Sequence, residues 1–456
     1  MPDQTKKPSQ TRIVVVIDVA LLGEAHRQKS HARGVHRVAE RIVSGLARSP
    51  QCELRFVATS HLASSARALE EIGLSQPGRL SYHKSQMWLS RWAERASAWV
   101  ERTLPDRRVH LRALRWLLQR VAFWADAQSR RIPQSSLLDA DIYHSPLKPI
   151  PEIAQRAHGV RKFLTVVDVI PLTNPGTVGG KGVPMLRKQL NSLAAHEFAF
   201  CISETVKNDL LQIKDISPEH VFVTPLAASE ETFHPVSDPE AIRATLRRYD
   251  IPDEPYFLAL SSFDPRKNFD GVIDYFSALL AEGTPRPVNL VIVGSNPERN
   301  RMVETACANF PEARQRIVTP GFIPDADLAA IYSGALSFLF PSLSEGFGMP
   351  VLEAMQCGTP VLSSDAPALP EVVGGAGVLV PPQDREAWVK AMAEVVSDPS
   401  LRERLRLAGL RRAEGFNWRR FNEALIEGYL ASLRRDHSAA RTSAHTAGPR
   451  GSSGIA

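Results

Sequence analysis

Two carboxylates, Glu345 and Glu353, lie on either side of a glycine-rich turn in the segment S-E-G-F-G-M-P-V-L-E. The glycines on both sides of Phe347 allow the backbone to approach a ligand closely. Pro350 suits the first turn of a helix, which predicts a helix that begins near Met349. The free N–H groups of such a helix end bind anions. The spacing therefore predicts a site where carboxylates bind hydroxyls and the helix end binds phosphate, as in a sugar attached to a diphosphate.

Two adjacent cations form a second candidate element. The apolar run at 256–262 predicts a strand, and Arg266 and Lys267 follow its carboxyl end. Cationic side chains in this position could neutralise a diphosphate leaving group while a glycosidic bond breaks. Simpler interpretations also fit these residues. Glu345 could be a helix cap or a solvent-facing charge, and the two cations could belong to a solvated turn before a helix, capped by Asp264 or Asn268.

The elements that must position these residues alternate between buried strands and helices. This rhythm predicts an α/β protein with two doubly wound Rossmann-like domains facing a central cleft, where ligands bind beyond the carboxyl ends of the strands. We place the first domain at 11–235, the second at 250–415 and a closing helix that crosses back to the first domain at 416–436. The polar ends, 1–10 and 437–456, are predicted to be disordered.

The composition of the 456 residues, with 43% hydrophobic and 23% charged residues, excludes a wholly disordered chain. The four cysteines are far apart, which suggests neither a zinc site nor disulfides and fits a reducing compartment. The start has no apolar stretch of the kind that a secretory signal needs, and no apolar run is long enough to span a membrane.

The net charge of +6 is concentrated in residues 84–131, which carry eleven basic and four acidic residues and five of the seven tryptophans. We interpret this stretch as a helical insertion in the first domain. Basic helices with a tryptophan and leucine face can lie on an anionic membrane surface. Two ordinary helices that pack tryptophan into the core are an equal alternative, and nucleic-acid binding is a weaker one.

Together these segments resemble glycosyltransferase family 4, which contains retaining enzymes of the GT-B fold. The E-x7-E motif of that family is matched by Glu345 and Glu353, and its R-K-N loop by Arg266, Lys267 and Asn268. The likeness covers roughly residues 12–433 and is strongest in the second domain. The first domain is most similar to the mannosyl- and rhamnosyltransferase branch.

The resemblance implies a role for each motif residue. Arg266 and Lys267 would stabilise the departing diphosphate, Glu345 would contact the transferred sugar, and Glu353 would accept from the ribose hydroxyls. Many relatives carry His-Asp where this chain has Val167-Asp168, so the role of that histidine would pass to Asp168 or another group. Further donor contacts are expected at Gly34, Gly294, Ser295, Phe322, Ile323, Gly346, Phe347, Gly348, Met349, Val351 and Leu352.

The function expected from this resemblance is transfer of a sugar from a nucleoside-diphosphate sugar, preferably GDP-mannose, to a hydroxyl of a lipid-linked or polysaccharide acceptor. No cofactor or metal is expected, because no D-x-D motif lies at the predicted strand ends; Asp325-Ala-Asp327 opens a helix, where it could act as a cap. The expected location is cytoplasmic, peripheral to the membrane face. A sugar-nucleotide epimerase and an inactive binding scaffold are the alternatives.

Overall fold

The structure is a computed structural model. It describes residues 12–28, 34–76, 78–103, 116–118, 120–121, 124, 131–174, 182–260, 264–294, 299–308 and 310–446. Three sequence predictions lie outside these residues: the N-terminus at 1–10, the last ten residues at 447–456 and the contact at Ser295.

The first domain is built on a parallel sheet. Within the described residues it has six strands in the order β2-β1-β3-β4-β5-β6. The strand at Ile13–Asp18 is an apolar, β-branched run up to its last residue, and all five residues of the central strand at Ile142–Pro146 are buried, as expected when helices cover both faces. The strands are β1 (Ile13–Asp18), β2 (Cys52–Val57), β3 (Ile142–Pro146), β4 (Arg161–Val166), β5 (Phe198–Cys201) and β6 (Val221–Val223).

The second domain repeats the architecture. Six parallel strands occur in its described part, in the order β12-β11-β10-β7-β8-β9. They are β7 (Tyr256–Leu260), β8 (Asn289–Val293), β9 (Ile317–Gly321), β10 (Ser337–Phe340), β11 (Val361–Ser364) and β12 (Val378–Val380).

Helices occupy the intervals between strands. Those of the first domain are α1 (Ala20–Gln28), α2 (Val35–Ala47), α3 (Leu62–Glu71), α4 (Lys84–Thr103), α5 (Glu152–Gln155), α6 (Ile170–Thr173), α7 (Val183–Asn191) and α8 (Glu204–Ile213). From the linker onward they are α9 (Pro239–Arg248), α10 (Phe269–Glu282), α11 (Arg299–Ala306), α12 (Pro311–Gln315), α13 (Asp325–Gly334), α14 (Met349–Gln356), α15 (Leu369–Val373), α16 (Arg385–Ser397), α17 (Pro399–Ala413) and α18 (Trp418–Thr446).

The strand order of the second sheet explains where a ligand can bind. Strand β7 pairs with β8 on one side and with β10 on the other, so the chain reverses its winding direction between β7 and β10. The loops that follow these two strands leave a crevice at such a switch point. One loop carries Arg266 and Lys267 and the other carries Glu345, which brings the two predicted elements together.

Helix α18 attaches the C-terminal part of the chain to the first domain. The Tyr429 hydroxyl lies 2.6 Å from Nδ1 of His144, whose Nε2 lies 2.7 Å from the Thr165 hydroxyl. Burial lowers the pKa of His144 to about 3, so this imidazole is neutral and structural. Gly428 faces Phe200 so closely that a Cβ there would lie 2.6 Å from the ring.

The predicted end of this helix and start of a disordered tail, at 436 and 437, are wrong, because α18 continues to Thr446. Alanines at 439, 440 and 444 favour helix, and the first strong helix breakers are Gly448 and Pro449. The polar composition that suggested disorder is therefore also compatible with an extended helix.

Two further contacts join the domains beside the cleft. The Ser203 hydroxyl donates to the carbonyl of Gly346 at 2.8 Å. The carboxylate of Glu371 accepts hydrogen bonds from the backbone N–H groups of Glu204, at 2.8 Å, and Thr205, at 2.7 Å. The second domain thus supplies an acidic cap to the N-terminus of α8 in the first domain.

The tryptophans of the basic stretch lie on the surface. Trp88, Trp92 and Trp99 on α4 are 66%, 40% and 55% exposed, and Trp116 and Trp124 are also exposed. Helix α4 packs on the domain through other side chains: Met87, Ser90, Ala93 and Val100. The interpretation that these tryptophans fill the core is wrong, because the apolar positions that face inward are offset from them along the helix. None of the helices that the structure describes combines the length and the apolar character needed to cross a membrane.

Candidate active site

A cleft of about 410 Å³ lies between the domains, at the carboxyl ends of both sheets. Loops from both domains line it, as the fold requires. The predicted site residues that line it are Gly34, Asp168, Arg266, Lys267, Gly294, Phe322, Ile323, Glu345, Gly346, Phe347, Gly348, Met349 and Glu353.

Two predicted donor contacts do not line this cleft. The side chains of Val351 and Leu352 are completely buried in the core. Their N–H groups donate to the carbonyl of Gly348, at 3.0 and 3.4 Å, within the first turn of α14. The prediction assigned a whole segment to the ligand, but only one face of a helix can line a cleft, and these residues point the other way.

The glycines of the turn are required by close packing. Gly348 has φ = 103°, and a Cβ there would lie 2.5 Å from Leu369. A Cβ at Gly346 would lie 2.5 Å from the carbonyl of Val167 in the first domain. The absence of a side chain at Gly346 therefore lets the turn approach the first domain, and its absence at Gly348 lets the turn pack on Leu369 of its own domain.

Glu345 lies among cations of its own domain. Lys267 Nζ donates to its Oε1 at 2.6 Å, Arg266 Nη1 donates to its Oε2 at 3.1 Å, and the Ser342 hydroxyl donates to Oε1 at 2.5 Å. Burial opposes ionisation, but Lys267, Arg266 and Ser342 together keep the pKa of Glu345 below its usual value. Glu345 is therefore a carboxylate at neutral pH.

The loop that carries the two cations is held from several sides. Asp264 accepts from the Arg266 N–H at 3.0 Å, and Leu343 donates its N–H to the Arg266 carbonyl at 2.8 Å. Asn268 has φ = 51° and donates its side-chain amide to the carbonyl of Pro382 at 2.9 Å. The Arg266 Nε is buried without a hydrogen-bond partner in the described residues. The Arg266 side chain thus retains one donor that no described residue uses.

Glu353 has different neighbours. Arg37 Nη1, from α2 of the first domain, donates to its Oε1 at 3.3 Å, and the Tyr332 hydroxyl lies 3.5 Å from its Oε2. Burial raises the pKa of Glu353 to about 7; Arg37 lowers the pKa and Asp325 raises it further. Glu353 therefore changes its charge near neutral pH.

Arg37 was missed by the sequence predictions. It is three residues after Gly34, which was the only residue of this stretch that the sequence analysis assigned to the site. Arg37 also donates to Asp325 at 2.6 Å. Asp325 does not cap α13, since the N-cap is Pro324 and no side chain caps that end. Its carboxylate instead forms an ion pair with the first domain, which no local sequence pattern shows.

The first domain contributes two more predicted residues. Gly34 precedes α2 with φ = 64°, and a Cβ there would meet no atom of the described residues within 4 Å, so the backbone has room on this side among the residues that the structure describes. Asp168 follows β4 and is close enough to Arg266 and Glu345 to interact with both charges. Burial raises the pKa of Asp168, and Arg266 partly offsets that effect.

The described residues contain no cluster of three or more His, Cys, Asp or Glu side chains that could hold a metal ion. The predicted independence from metals and cofactors stays a prediction.

Comparisons with known proteins show the family of the chain. The family model "Glycosyl transferases group 1" matches residues 242–412. O-antigen chain mannosyltransferase B of Escherichia coli is 30% identical over 290 residues, which are 63% of this chain and 74% of the relative. The chain therefore belongs to the group 1 glycosyl transferases, and the predicted family is confirmed.

Other relatives are longer. The serotype-specific mannosyltransferase WbdA of Escherichia coli is 32% identical over 270 residues, or 58% of this chain and 33% of WbdA. The chain thus spans about a third of the length of WbdA.

Solved structures confirm the GT-B fold. A glycosyltransferase from Rickettsia africae superposes with a TM-score of 0.62 at 15% identity, covering 93% of this chain and 99% of the other. HepE of Anabaena, solved in complex with UDP, gives a TM-score of 0.62 at 14% identity, covering 91% and 99%.

Proposed function

We propose that this protein is a retaining glycosyltransferase that moves a sugar, with mannose preferred, from a nucleoside-diphosphate sugar to a hydroxyl group. The observation that carries the proposal is that Arg266, Lys267, Glu345 and the start of α14 converge on one cleft between the domains. GDP-mannose is the preferred donor because the relatives WbdA and mannosyltransferase B are named mannosyltransferases.

The diphosphate would bind between the cationic loop and the glycine turn. Lys267 and Arg266 would move part of their hydrogen bonding from Glu345 to the phosphate oxygens, and the buried Arg266 Nε would gain an acceptor. The N-terminus of α14 and the open backbone at Gly34 add donors on either side. Donors held in a water-poor cleft stabilise the charge that develops on a leaving diphosphate.

Glu345 would face the transferred sugar. Its carboxylate is ionised, so it accepts hydrogen bonds from sugar hydroxyls and stabilises positive charge at the anomeric carbon. Glu353 would accept from the ribose hydroxyls, with the base near Phe322, Ile323 and Gly294.

The acceptor would approach from the side of Asp168. The bond between the anomeric carbon and the diphosphate oxygen breaks, and its electron pair stays with the diphosphate. The acceptor oxygen forms the new bond on the same face, and its proton passes to the leaving diphosphate. Asp168 would orient the acceptor hydroxyl by accepting a hydrogen bond from it.

The exposed tryptophans of α4 favour a lipid-linked or polysaccharide acceptor at the inner membrane face. Arginines at 91, 95 and 102 share the helix with Trp88, Trp92 and Trp99. Indole rings and basic side chains on one helix suit the interface of an anionic bilayer. This part of the proposal makes the protein cytoplasmic and peripheral to the membrane.

A thermal-shift panel of GDP, UDP and ADP with their sugars tests the donor, because a ligand that binds the native state raises Tm. Incubation of the selected donor with a lipid-linked mannosyl acceptor, with and without EDTA, then tests transfer and metal independence. A glycosylated product is expected in both conditions. Release of nucleotide and free sugar without an acceptor would favour an epimerase, and binding without turnover would favour a scaffold; either result would overturn the proposal.

Flotation with vesicles tests the membrane contact separately. The wild type should float with phosphatidylglycerol vesicles at low salt, and the triple substitution Trp88→Ser, Trp92→Ser, Trp99→Ser should not. Leu407→Ser is the matched control, since Leu407 is 40% exposed on α17 in the other domain. If the wild-type protein does not bind anionic vesicles, the membrane contact is contradicted but the transfer reaction is not.

A further inference from the structure

Arg37 crosses from the first domain to two carboxylates of the second. Its Nη1 lies 3.3 Å from Glu353 Oε1 and its Nη2 lies 2.6 Å from Asp325 Oδ2. The side chains of Arg37 and Glu353 are 18% and 10% exposed, so solvent screens this contact weakly. The ion pairs form only when the two domains are together.

Few charged groups determine whether Glu353 is ionised. Arg37 is the cation that faces it, and Asp325 is a second carboxylate that competes for the same guanidinium. The Tyr332 hydroxyl and the Cys357 thiol, whose pKa values are both raised by burial, are neutral at physiological pH. Because burial disfavours the charged form of Glu353, its ionisation depends on the position of one arginine.

We infer that Arg37 is a positioning residue for the sugar-nucleotide donor: reaching over the cleft, it orients Glu353 and keeps it a carboxylate that can accept the ribose hydroxyls. This inference rests on the proposed function. When the domains part, Glu353 loses this cation; when they close, Arg37 again stabilises its charged form. Domain closure and donor affinity are thereby linked through one buried charge.

The distinguishing property is that the two charged neighbours of Glu353, Arg37 and Asp325, shift its pKa in opposite directions. Removing Arg37 makes ionisation of Glu353 harder, whereas removing the charge of Asp325 makes it easier. A side chain that merely supported the fold would not shift a pH profile in opposite directions in two variants.

The experiment measures the Kd of GDP-mannose from pH 5.5 to 8.5 by titration calorimetry. A diphosphate diester has no phosphate group that titrates in this range, so the profile reports on the protein; UDP-glucose replaces GDP-mannose if the panel selects uridine. The wild-type affinity should weaken as the pH falls through about 7. Arg37→Gln should move the midpoint up by about one unit, with affinity several-fold weaker at pH 7. Asp325→Asn should move it down.

Two further variants complete the test. Arg37→Lys should return most of the affinity, because an ammonium group supplies the charge, and Glu353→Gln should abolish the pH dependence. Superimposable profiles for the wild type, Arg37→Gln and Asp325→Asn would overturn the inference, as would a Glu353→Gln variant that keeps the wild-type profile. If Arg37→Gln fails to fold, Asp325→Asn and Arg37→Lys decide the matter. A wild type that binds no sugar nucleotide at any pH would instead remove the proposed function itself.

Discussion

The two glutamates of the cleft lie on one short segment and are both buried, yet their surroundings shift their pKa values in opposite directions. Lys267 and Arg266 surround Glu345 and lower its pKa. Burial dominates at Glu353 and raises its pKa to about 7. The cations of Glu345 belong to the same domain, whereas the cation of Glu353 belongs to the other domain. The first carboxylate is therefore charged at neutral pH through cations of its own domain, whereas the charge of the second depends on the contact between domains.

The largest expected effect concerns Glu345 and the cations of its own domain. Lys267→Ala should lower kcat by about 10²- to 10³-fold, because the substitution removes a cation that stabilises the leaving diphosphate. Steady-state kinetics with saturating donor measures the loss, and far-UV circular dichroism verifies folding. Lys390→Ala, at an exposed lysine on α16, is the matched control and should retain full activity. Equal kcat in both variants would remove Lys267 from the catalytic site.

A second prediction concerns stability against pH. The folded-state pKa of Glu353, about 7, lies above its ordinary value of 4.5, so the folded protein binds this proton more tightly than the unfolded chain and loses stability as the pH rises between these values. Glu353→Gln should not show that loss. Its free energy of unfolding should therefore rise relative to that of the wild type by up to about 3 kcal/mol between pH 5 and pH 8.

Glu345→Gln should show the opposite sign. The lowered pKa of Glu345 stabilises the fold above its ordinary value of 4.5 and the benefit is lost as the pH falls through the lowered pKa. This variant should be less stable than the wild type at pH 7, with a difference that shrinks in acid. Urea unfolding at several pH values measures both variants, and parallel curves for the two would contradict the comparison.

The smallest effect sharpens the description of Glu345. Ser342→Ala removes the hydroxyl that donates to Glu345 Oε1, while Lys267 and Arg266 remain. We expect a loss of about 1 kcal/mol in transition-state stabilisation, which is a several-fold decrease in kcat/KM. Ser397→Ala, at an exposed hydroxyl on α16 that donates within its own helix, is the control. A change larger than that of Lys267→Ala would mean that Ser342 itself touches the substrate.

Sequence was sufficient for the fold and for the cationic half of the site. Alternating strands and helices predicted two parallel sheets, and the glycine turn predicted where α14 begins. The meeting of Arg266 and Lys267 with Glu345 was predictable because the carboxyl ends of parallel strands share one edge of a sheet. The roles of these residues in catalysis stay predictions that the kinetics above address.

The features that the sequence could not predict depend on how the two domains face each other and on how individual helices are rotated. Arg37 reaches Glu353 because of how the domains face each other, and the two residues are more than 300 positions apart in the chain. Val351 and Leu352 belong to the same segment as Glu353, but the rotation of α14 points them into the core. The exposure of Trp88 and Trp99 was equally hidden, since a helical stripe of tryptophan has the same spacing whether it packs inward or faces water.

The acidic cap that Glu371 places on α8 has a mechanical consequence. Any motion that separates the domains on this side leaves two backbone N–H groups without their acceptor and exposes the positive end of a helix dipole. A rotation that keeps Thr205 against Glu371 avoids that cost. The opening motion that costs the least free energy is therefore a hinge rotation about an axis near Glu371. Such a rotation admits a bulky acceptor on the opposite side of the cleft, where the gap between the domains becomes widest.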